Sequence, residues 1–324
     1  MEIGNIKVTG YAGLAPMAGV ADRAMREICV SYGATLTVGE LASSKGISLG
    51  DRHSEEYLFC TKEFGVCGPQ LFGSEPEIMA IATAKAMEKG PDFIDINMGC
   101  PAPKVAGNGG GSALMRDIEL AGRIVESVKR ESSVPVTVKM RTGYDKNSIN
   151  AKELAIICEQ AGASAITVHG RTRDQMYAPP VNYDVIKQVK EAINIPVIAN
   201  GDIVDGKTAK FVYDYTGCDF CLVGRAARGN PFIFSEINAF FEGKEYTPPT
   251  LEEKLELCIK QAELMAKYKN SRIAALEARK HTAWYIVGLN GASKLRRMCG
   301  EIQTIDDVKS ICREALRLSK TETG

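Results

Sequence analysis

The feature that most restricts the fold of this sequence is the regular alternation of short β-rich runs with longer amphipathic segments. Eight such runs occupy residues 12–16, 34–38, 66–71, 93–97, 134–139, 165–169, 196–200 and 219–223. Strict alternation of strand and helix predicts parallel strands. An open doubly wound sheet would also alternate, but eight nearly even units favour a closed (β/α)₈ barrel of the TIM type.

The strand pattern stops at a proline pair, Pro248 and Pro249, which is incompatible with a helix interior. Beyond it the sequence has the periodicity of three or four helices, in segments that begin at Leu251, Ser271, Ser293 and Ile305. We therefore predict a barrel domain in residues 1–245 and an all-helical bundle in residues 246–324.

Composition excludes several classes of protein. The 324 residues are 45% hydrophobic and 25% charged, which is typical of a globular chain with a sizeable core. No basic segment followed by an apolar one begins the chain, and no run of eighteen apolar residues occurs in it. We therefore expect a soluble, cytoplasmic protein without a membrane span. The CxxC pair Cys218 and Cys221 begins an apolar strand without further ligands nearby, so no metal site is predicted.

Polar residues follow the predicted strands where a barrel enzyme places its catalytic groups. Lys139 alternates with apolar neighbours in VTVKMR, so its ammonium group should point along the barrel interior toward the mouth. Asn97, His169 and Asn200 end other strands. A planar anionic cofactor would compensate the charge of a buried lysine, whereas an unpaired cation would be costly. The alternative is a solvated surface lysine.

Two glycine-containing loops after the seventh and eighth strands predict a phosphate-bearing ligand. They read ANGDI, which contains Gly201, and GRAA, which contains Gly224 and Arg225. Barrel enzymes commonly bind phosphate at this position with backbone N–H groups. Glycine permits close approach of the backbone, and the guanidinium adds charge-assisted donors. Glycines also mark ordinary turns, which is the competing interpretation.

Cys100 lies just past the fourth strand, in the loop NMGCP at the catalytic end of the barrel. A free thiol has a pKa of about 8.5 and is mostly protonated at neutral pH, so it can serve as an acid as well as a nucleophile. The alternative is one more buried cysteine.

The predicted helical region carries a local excess of basic residues, although the whole chain has 40 basic and 40 acidic residues. Between residues 266 and 300 a single acid, Glu277, stands among eight cations. These are Lys267, Lys269, Arg272, Arg279, Lys280, Lys294, Arg296 and Arg297. Such a patch indicates contact with a polyanion, or a solvated helix face. His281, Trp284 and Tyr285 are expected to pack rather than to stack on bases.

The motifs LAPMAG, DINMGCP, VTVKMRTGYD, ITVHGRTR and EARKHTAWY, in this order, resemble those of the tRNA-dihydrouridine synthases, and are most similar to the bacterial B-type members. DINMGCP is the most specific of them. The sequence departs from the family pattern at Leu41, where methionine is usual, and in a glycine-rich loop over residues 107–111.

The resemblance implies an FMN enzyme that reduces the C5–C6 double bond of specific uridines in tRNA, with NADPH as reductant and Cys100 as the acid. It implies FMN contacts from Pro16, Met17, Ala18, Gln70, Lys139, His169, Asn200, Gly201, Asp202, Gly224 and Arg225. Asn97 and Arg171 are implied to lie near the uracil, and Arg272, Arg279 and Lys280 to contact tRNA. We expect a monomer; which uridine is reduced stays open.

Two other functions remain open at this point. Another FMN barrel that acts on a free pyrimidine or an enone would keep Lys139 and the phosphate loops, but it would not explain the basic helical region. A tRNA-binding protein or RNA chaperone without catalytic activity would explain that region. It gives no physical reason to keep Cys100, Lys139 and His169 together.

Overall fold

Eight parallel strands close into a barrel in the computed structural model, which describes residues 1–320. A short antiparallel hairpin, β1 (Glu2–Ile3) and β2 (Ile6–Lys7), precedes them. The barrel strands are β3 (Ala12–Leu14), β4 (Leu36–Ser43), β5 (Val66–Phe72), β6 (Ile94–Met98), β7 (Val136–Arg141), β8 (Ala165–His169), β9 (Val197–Asn200) and β10 (Phe220–Val223). Their closed order is β10-β3-β4-β5-β6-β7-β8-β9, which confirms the predicted barrel.

The predicted strands match the barrel closely except at two places. The hairpin was not predicted; its buried Ile3 packs in one cluster with Phe93 and Phe220, which covers the N-terminal end of the barrel. The second predicted strand is too short, because β4 continues to Ser43 and places Glu40 inside the strand rather than at its end. The register shifts between Val38 and Leu41, so β4 contains an irregularity of the bulge type.

Helices surround the barrel on its outer side. The longer ones are α1 (Arg23–Ser31), α4 (Pro76–Met87), α6 (Ile118–Glu131), α7 (Ala151–Gln160), α8 (Tyr183–Ala192), α9 (Gly206–Thr216) and α10 (Ile233–Phe241), and the short ones are α2 (Ser44–Ser48), α3 (Arg52–Glu56) and α5 (Pro103–Ala106). Asp22, Asp117 and Asp205 cap α1, α6 and α9 through their side chains. Each cap lies at the mouth end, so the loops that precede these helices are held near the site.

The main core fills the space between the strands and these outer helices. Apolar side chains such as Ile96, Val138 and Val168 leave the strands outward and are fully buried against the helices. A second cluster, which includes Leu36, Ile198 and Leu222, fills the barrel interior toward its N-terminal end. The barrel is therefore a packed core, and only its C-terminal end is open for a ligand.

Four helices form the C-terminal region: α11 (Leu251–Tyr268), α12 (Ser271–Tyr285), α13 (Ala292–Glu301) and α14 (Ile305–Lys320). A helix-free stretch separates Phe241 from Leu251, and the predicted boundary near residue 246 falls within it. The apolar cluster of the helical region includes Ile28 and Phe232 of the barrel, so the two parts pack directly together. In residues 1–320 no helix has both the length and the apolar content needed to cross a membrane.

Candidate active site

A cavity of about 880 Å³ opens at the C-terminal ends of the barrel strands. Its wall contains Asn97 and Cys100, together with all eleven side chains and loop positions expected to contact a flavin. Those eleven are Pro16, Met17, Ala18, Gln70, Lys139, His169, Asn200, Gly201, Asp202, Gly224 and Arg225. Residues from every part of the barrel thus converge on one space, as parallel strands ending at one edge require.

A chain of hydrogen bonds runs from the barrel interior to the loop that carries Cys100. Asp95 accepts from the Gln70 Nε2 at 2.6 Å, and the Gln70 Oε1 accepts from the Asn97 Nδ2 at 2.8 Å. The Asn97 Oδ1 then accepts from the Cys100 N–H at 2.8 Å and from the Gly99 N–H at 3.1 Å. Because a carboxylate accepts only, Asp95 fixes the orientation of both amides, and through them the backbone at the thiol.

Asp95 was not singled out in the sequence. It is fully buried and also accepts from the Thr137 hydroxyl at 2.5 Å, and burial raises its pKa to about 6. The signal that could have revealed it is an acidic residue within an otherwise apolar strand, two residues before Asn97. Such a residue needs partners when buried, and those partners here are site residues.

Lys139 projects into the cavity, as predicted, and its Nζ donates to the Asn200 Oδ1 at 3.0 Å. The Asn200 Nδ2 donates to the Leu222 carbonyl at 2.8 Å, which fixes the amide. Burial, together with the neighbouring Arg141, lowers the pKa of Lys139 to about 8, although Asp95 and Cys100 act in the other direction. The cation therefore lacks a full counter-charge from the protein and is suited to an anionic ligand.

His169 lies on the same wall and is neutral. Burial lowers its pKa to about 2, helped by the surrounding cations Lys139, Arg141, Arg171 and Arg225. A neutral imidazole can donate from one ring nitrogen and accept at the other, so it can hydrogen-bond a ligand without adding charge.

The two glycine loops form the polar end of the cavity. Gly201 has φ +126° and Asp202 has φ +47°, both in the left-handed half of the backbone map. Arg171 holds the Asp202 carboxylate through two hydrogen bonds of 3.1 and 2.6 Å, and Arg225 donates to it at 2.8 Å. The strained backbone at Asp202 is therefore stabilised by ion pairs on both sides.

Cys100 is half-buried at the opposite side of the mouth. Burial raises the pKa of its thiol, while Arg141 and Lys139 act in the other direction. The last glycine of the glycine-rich loop has a packing reason: a Cβ on Gly111, which has φ +56°, would lie 2.8 Å from the Cys100 carbonyl oxygen and 3.3 Å from its Cβ. The thiol is thus a protonated group in a backbone setting that a larger residue would disturb.

Several lining residues were missed in the sequence. Arg141 follows Lys139 by two residues and so faces the same side of β7; its guanidinium donates to the Gly99, Thr172 and Met176 carbonyls. Strand alternation could have identified it. Met176 and Tyr177 line the mouth from the loop after β8, and Arg228 lines it after β10. No motif distinguishes these three positions.

Other expected residues lie outside the cavity wall. Arg171 is 1% exposed and pairs with Asp202, so it positions that carboxylate without itself reaching the cavity. Arg272 is exposed, Lys280 lies beside Gly19 at the mouth loop, and Arg279 donates to the Ile302 carbonyl. Within residues 1–320 no group of three or more His, Cys, Asp or Glu side chains is placed to hold a metal ion.

Comparison of the sequence with known proteins identifies the family to which the chain is similar. The sequence model of the family described as dihydrouridine synthase (Dus) matches residues 13–320. The chain is 39% identical over 307 residues to tRNA-dihydrouridine synthase B of Vibrio cholerae, covering 94% of this chain and 95% of the relative. It is 41% identical over 291 residues to tRNA-dihydrouridine synthase B of Shewanella oneidensis, covering 88% and 89% respectively.

Among solved structures, the old yellow enzyme homologue of Zymomonas mobilis has the same fold. It superimposes with a TM-score of 0.55 at 15% sequence identity, covering 78% of this chain and 94% of that one. At this identity the likeness concerns the barrel architecture only.

Proposed function

The chain belongs to the dihydrouridine synthase family, and from this we propose that it reduces the C5–C6 double bond of uridines in tRNA, with FMN as cofactor and NADPH as reductant. The observation that carries the proposal is the convergence of a protonated thiol, Cys100, with an incompletely neutralised cation, Lys139, on one cavity. We also propose that it acts as a monomer in the cytoplasm, where tRNA is found.

The lining residues fit FMN. The volume of the cavity lies within the range of ordinary ligand sites, which is about 300–1,000 Å³. Its polar end offers Arg225 and the glycine loops for a phosphate, and an added Cβ at Gly224 would meet only Met17 and Ala15, both at 3.9 Å or more. Gln70, Lys139 and His169 supply an amide, a cation and a neutral imidazole for the polar edge of a planar ring.

Lys139 has a specific task in this assignment. Its ammonium group would stand beside a ring system that becomes more negative when reduced, and proximity to that charge would raise its pKa from the value of about 8. The Asn200 amide keeps the Nζ in place, since it is itself fixed by the Leu222 carbonyl. A positioned cation stabilises developing charge without reorganisation.

Cys100 is suited to deliver a proton to C5 of the uracil ring. FMN held by the lining residues would supply the hydride for C6 of that ring, with NADPH as the source of electrons. The negative charge that this addition would leave at C5 and the adjacent carbonyl would be neutralised by the thiol proton of Cys100. The resulting thiolate lies in the field of Arg141 and Lys139, the two cations that favour the deprotonated thiol. Asn97 holds the backbone of the thiol throughout.

The target uridine must leave its stack to reach this cavity, as in other enzymes that act on a base. The cavity is open at the strand ends, and Tyr177 is 51% exposed at its rim, where an extruded base can contact the ring. Four cations of the helical region are exposed and form no ion pair within residues 1–320, so they are available for contact with phosphates: Lys267, Arg272, Arg296 and Arg297. A fifth exposed cation, Lys294, pairs with Glu314 at 2.7 Å.

The proposal is tested by mass spectrometry of nucleosides from unmodified tRNA incubated with the purified protein and NADPH. We expect uridine to gain two hydrogens, and free uridine, free uracil and a simple enone to be poor substrates in parallel reactions. A flavin that NADPH reduces, with turnover of a free pyrimidine or enone and no dihydrouridine in tRNA, would replace the proposal with the free-substrate reductase. A protein that binds tRNA but no flavin would replace it with a non-catalytic role.

A further inference from the structure

Two arginines and a tyrosine meet at the rim of the barrel, outside the cavity wall. The guanidinium carbons of Arg116 and Arg173 each lie 5.1 Å from the centroid of the Tyr144 ring. Arg116 precedes α6, Tyr144 follows β7 and Arg173 follows β8, so three separate loops contribute one residue each. We name these three residues the rim cluster.

Within residues 1–320 the two cations of the rim cluster form no ion pair with a carboxylate. The arginines that form ion pairs in residues 1–320 are Arg130, Arg171, Arg225 and Arg317. The Nε of Arg173 is buried and lacks a hydrogen-bond partner. Two like charges on one ring repel each other, and the π face offsets this only in part.

The neighbouring acids are engaged within their own loops. Asp117 accepts from the Leu120 N–H at 2.9 Å, as the cap of α6. Asp145 accepts from the Asn147 N–H at 2.9 Å and from the Ser148 hydroxyl at 3.0 Å. Asp174 accepts from the Thr172 hydroxyl at 2.5 Å. The oxygens of these acids are thus directed to donors of their own loops, and none of the three pairs with Arg116 or Arg173 in residues 1–320, so both guanidinium groups are available to a ligand.

The position of the rim cluster in the barrel indicates what that ligand is. The helical region contacts the side of the mouth formed by the β3 and β10 loops: Lys269 pairs with Asp22 after β3, and Trp284 packs on Gly229 after β10. In the closed strand order β7 is four strands from β3 in either direction, and β6 is four strands from β10. The rim cluster therefore lies across the cavity mouth from the helical region.

From this arrangement we propose that the rim cluster is a second RNA phosphate-binding site, in which Arg116 and Arg173 grip a backbone phosphate while Tyr144 holds the two guanidinium planes. The proposal rests on the proposed function, because it takes the substrate to be RNA. With basic groups of the helical region on one side and the rim cluster on the other, the RNA backbone is held on both sides of the extruded base. Arginine is suited to this because its planar fork binds phosphate oxygens in pairs.

The test measures tRNA binding by fluorescence anisotropy over a range of salt concentrations, with wild-type protein and with Arg116→Gln, Arg173→Gln and the double variant. We expect each single variant to weaken binding by about threefold to tenfold, and the slope of log K against log salt to fall by about 1 per lost phosphate contact. Tyr144→Phe should bind like wild type and Tyr144→Ala more weakly, because the ring face alone is needed.

Arg123→Gln is the matched control, since Arg123 is an exposed arginine on the outer helix α6. It should leave both affinity and slope unchanged. If wild-type protein does not bind tRNA, the proposed function fails and this inference with it. If wild type binds and the Arg116 and Arg173 variants share its affinity and salt slope, the rim cluster is only a contact between loops and the inference alone is overturned. Circular dichroism checks that each variant is folded.

Discussion

The cavity mouth and the junction between barrel and helical region each contain a partly buried lysine and a buried histidine. The two regions differ in whether side chains of the protein neutralise the lysine. At the junction, burial would lower the pKa of Lys269, but ion pairs with Asp22 and Glu277 outweigh it and raise that pKa. In the cavity, the hydrogen-bond partner of Lys139 is the uncharged Asn200 amide, and burial lowers the pKa of the lysine to about 8 despite the field of Asp95. The junction satisfies its charges internally, whereas the cavity leaves one for a ligand.

The histidines show the same contrast. His281 is hydrogen-bonded to Gln261, which also accepts from the Tyr285 hydroxyl, inside the apolar cluster of the helical region. This confirms that His281 and Tyr285 pack. His169 faces the cavity among four cations. The same residue types therefore pack against the chain at the junction, and face a space that a ligand could fill in the cavity.

Exchange of each lysine for methionine is the strongest test of this contrast. Lys269→Met leaves the buried Asp22 carboxylate without its cation, so we expect a loss of about 2–4 kcal/mol in the free energy of unfolding. Lys139→Met removes an unpaired cation, so stability should stay the same or rise. FMN affinity should fall by about 10- to 100-fold. The denaturant midpoint reports the stability of each variant, and titration with FMN reports its flavin affinity. Equal destabilisation by the two substitutions would break the contrast.

The pH dependence of the free energy of unfolding tests the structural role of His281 at the junction. Burial lowers the pKa of His281 from 6.5 to about 4, so between these values the unfolded chain binds a proton that the folded chain does not. Stability is therefore lost as the pH falls from 6.5 to 4, by up to about 3 kcal/mol from this group. We expect His281→Gln to show a shallower decline in this window. Urea unfolding at several pH values gives the slopes, and identical slopes would contradict the assignment.

The pH dependence of flavin binding examines the cavity lysine. The hydrogen-bond acceptors at the polar edge of the FMN ring favour charged Lys139, so binding raises that pKa above the ligand-free value of about 8. Affinity should therefore be constant below pH 8 and should fall by up to about tenfold per pH unit above it. The Lys139→Met variant should lack this fall. Quenching of FMN fluorescence between pH 6 and pH 10 provides the measurement; a wild-type affinity independent of pH would contradict the role.

The smallest expected effects are those of single arginine substitutions in the helical region, which distinguish exposed cations from cations bound within the protein. Arg272 is exposed, and Arg272→Gln should weaken tRNA binding about threefold and reduce the salt slope by about 1. Arg279 is bound to the Ile302 carbonyl through two hydrogen bonds of 3.0 and 2.9 Å, so Arg279→Gln should lower stability and leave the salt slope unchanged. Anisotropy and thermal unfolding of both variants distinguish the two groups. A change of salt slope in Arg279→Gln would place that residue at the RNA.

The sequence was sufficient to predict the barrel, because each strand and helix has its own periodic signal. The β1–β2 hairpin escaped prediction since two-residue strands have no periodicity to detect. The continuation of β4 to Ser43 depends on pairing with β5, which is a tertiary effect. The periodicity of the sequence was therefore enough to locate most strands and helices. The features it missed depend on contacts between elements or on strands too short to have a period.

The candidate site could be predicted to a similar extent. Strand ends and loops placed Lys139, Asn200 and Cys100 in one region, and the structure brings them to one cavity. Which cations are free could not be predicted, because Lys269 and Arg279 are engaged by residues distant in sequence. Eight basic residues in one segment predict a patch, but only the fold divides them into exposed and satisfied groups.

The most direct test of the central claim, that Cys100 is the acid of a uridine reduction, is a single-turnover reaction. The FMN-loaded protein is first reduced with one equivalent of NADPH in the absence of oxygen and is then mixed with unmodified tRNA. Dihydrouridine is quantified by mass spectrometry after rapid quenching. We predict that Cys100→Ala forms dihydrouridine about 10²- to 10⁴-fold more slowly than wild type. Cys60→Ala, at a half-buried cysteine outside the cavity wall, should match wild type. Formation of dihydrouridine by Cys100→Ala at the wild-type rate would contradict the claim.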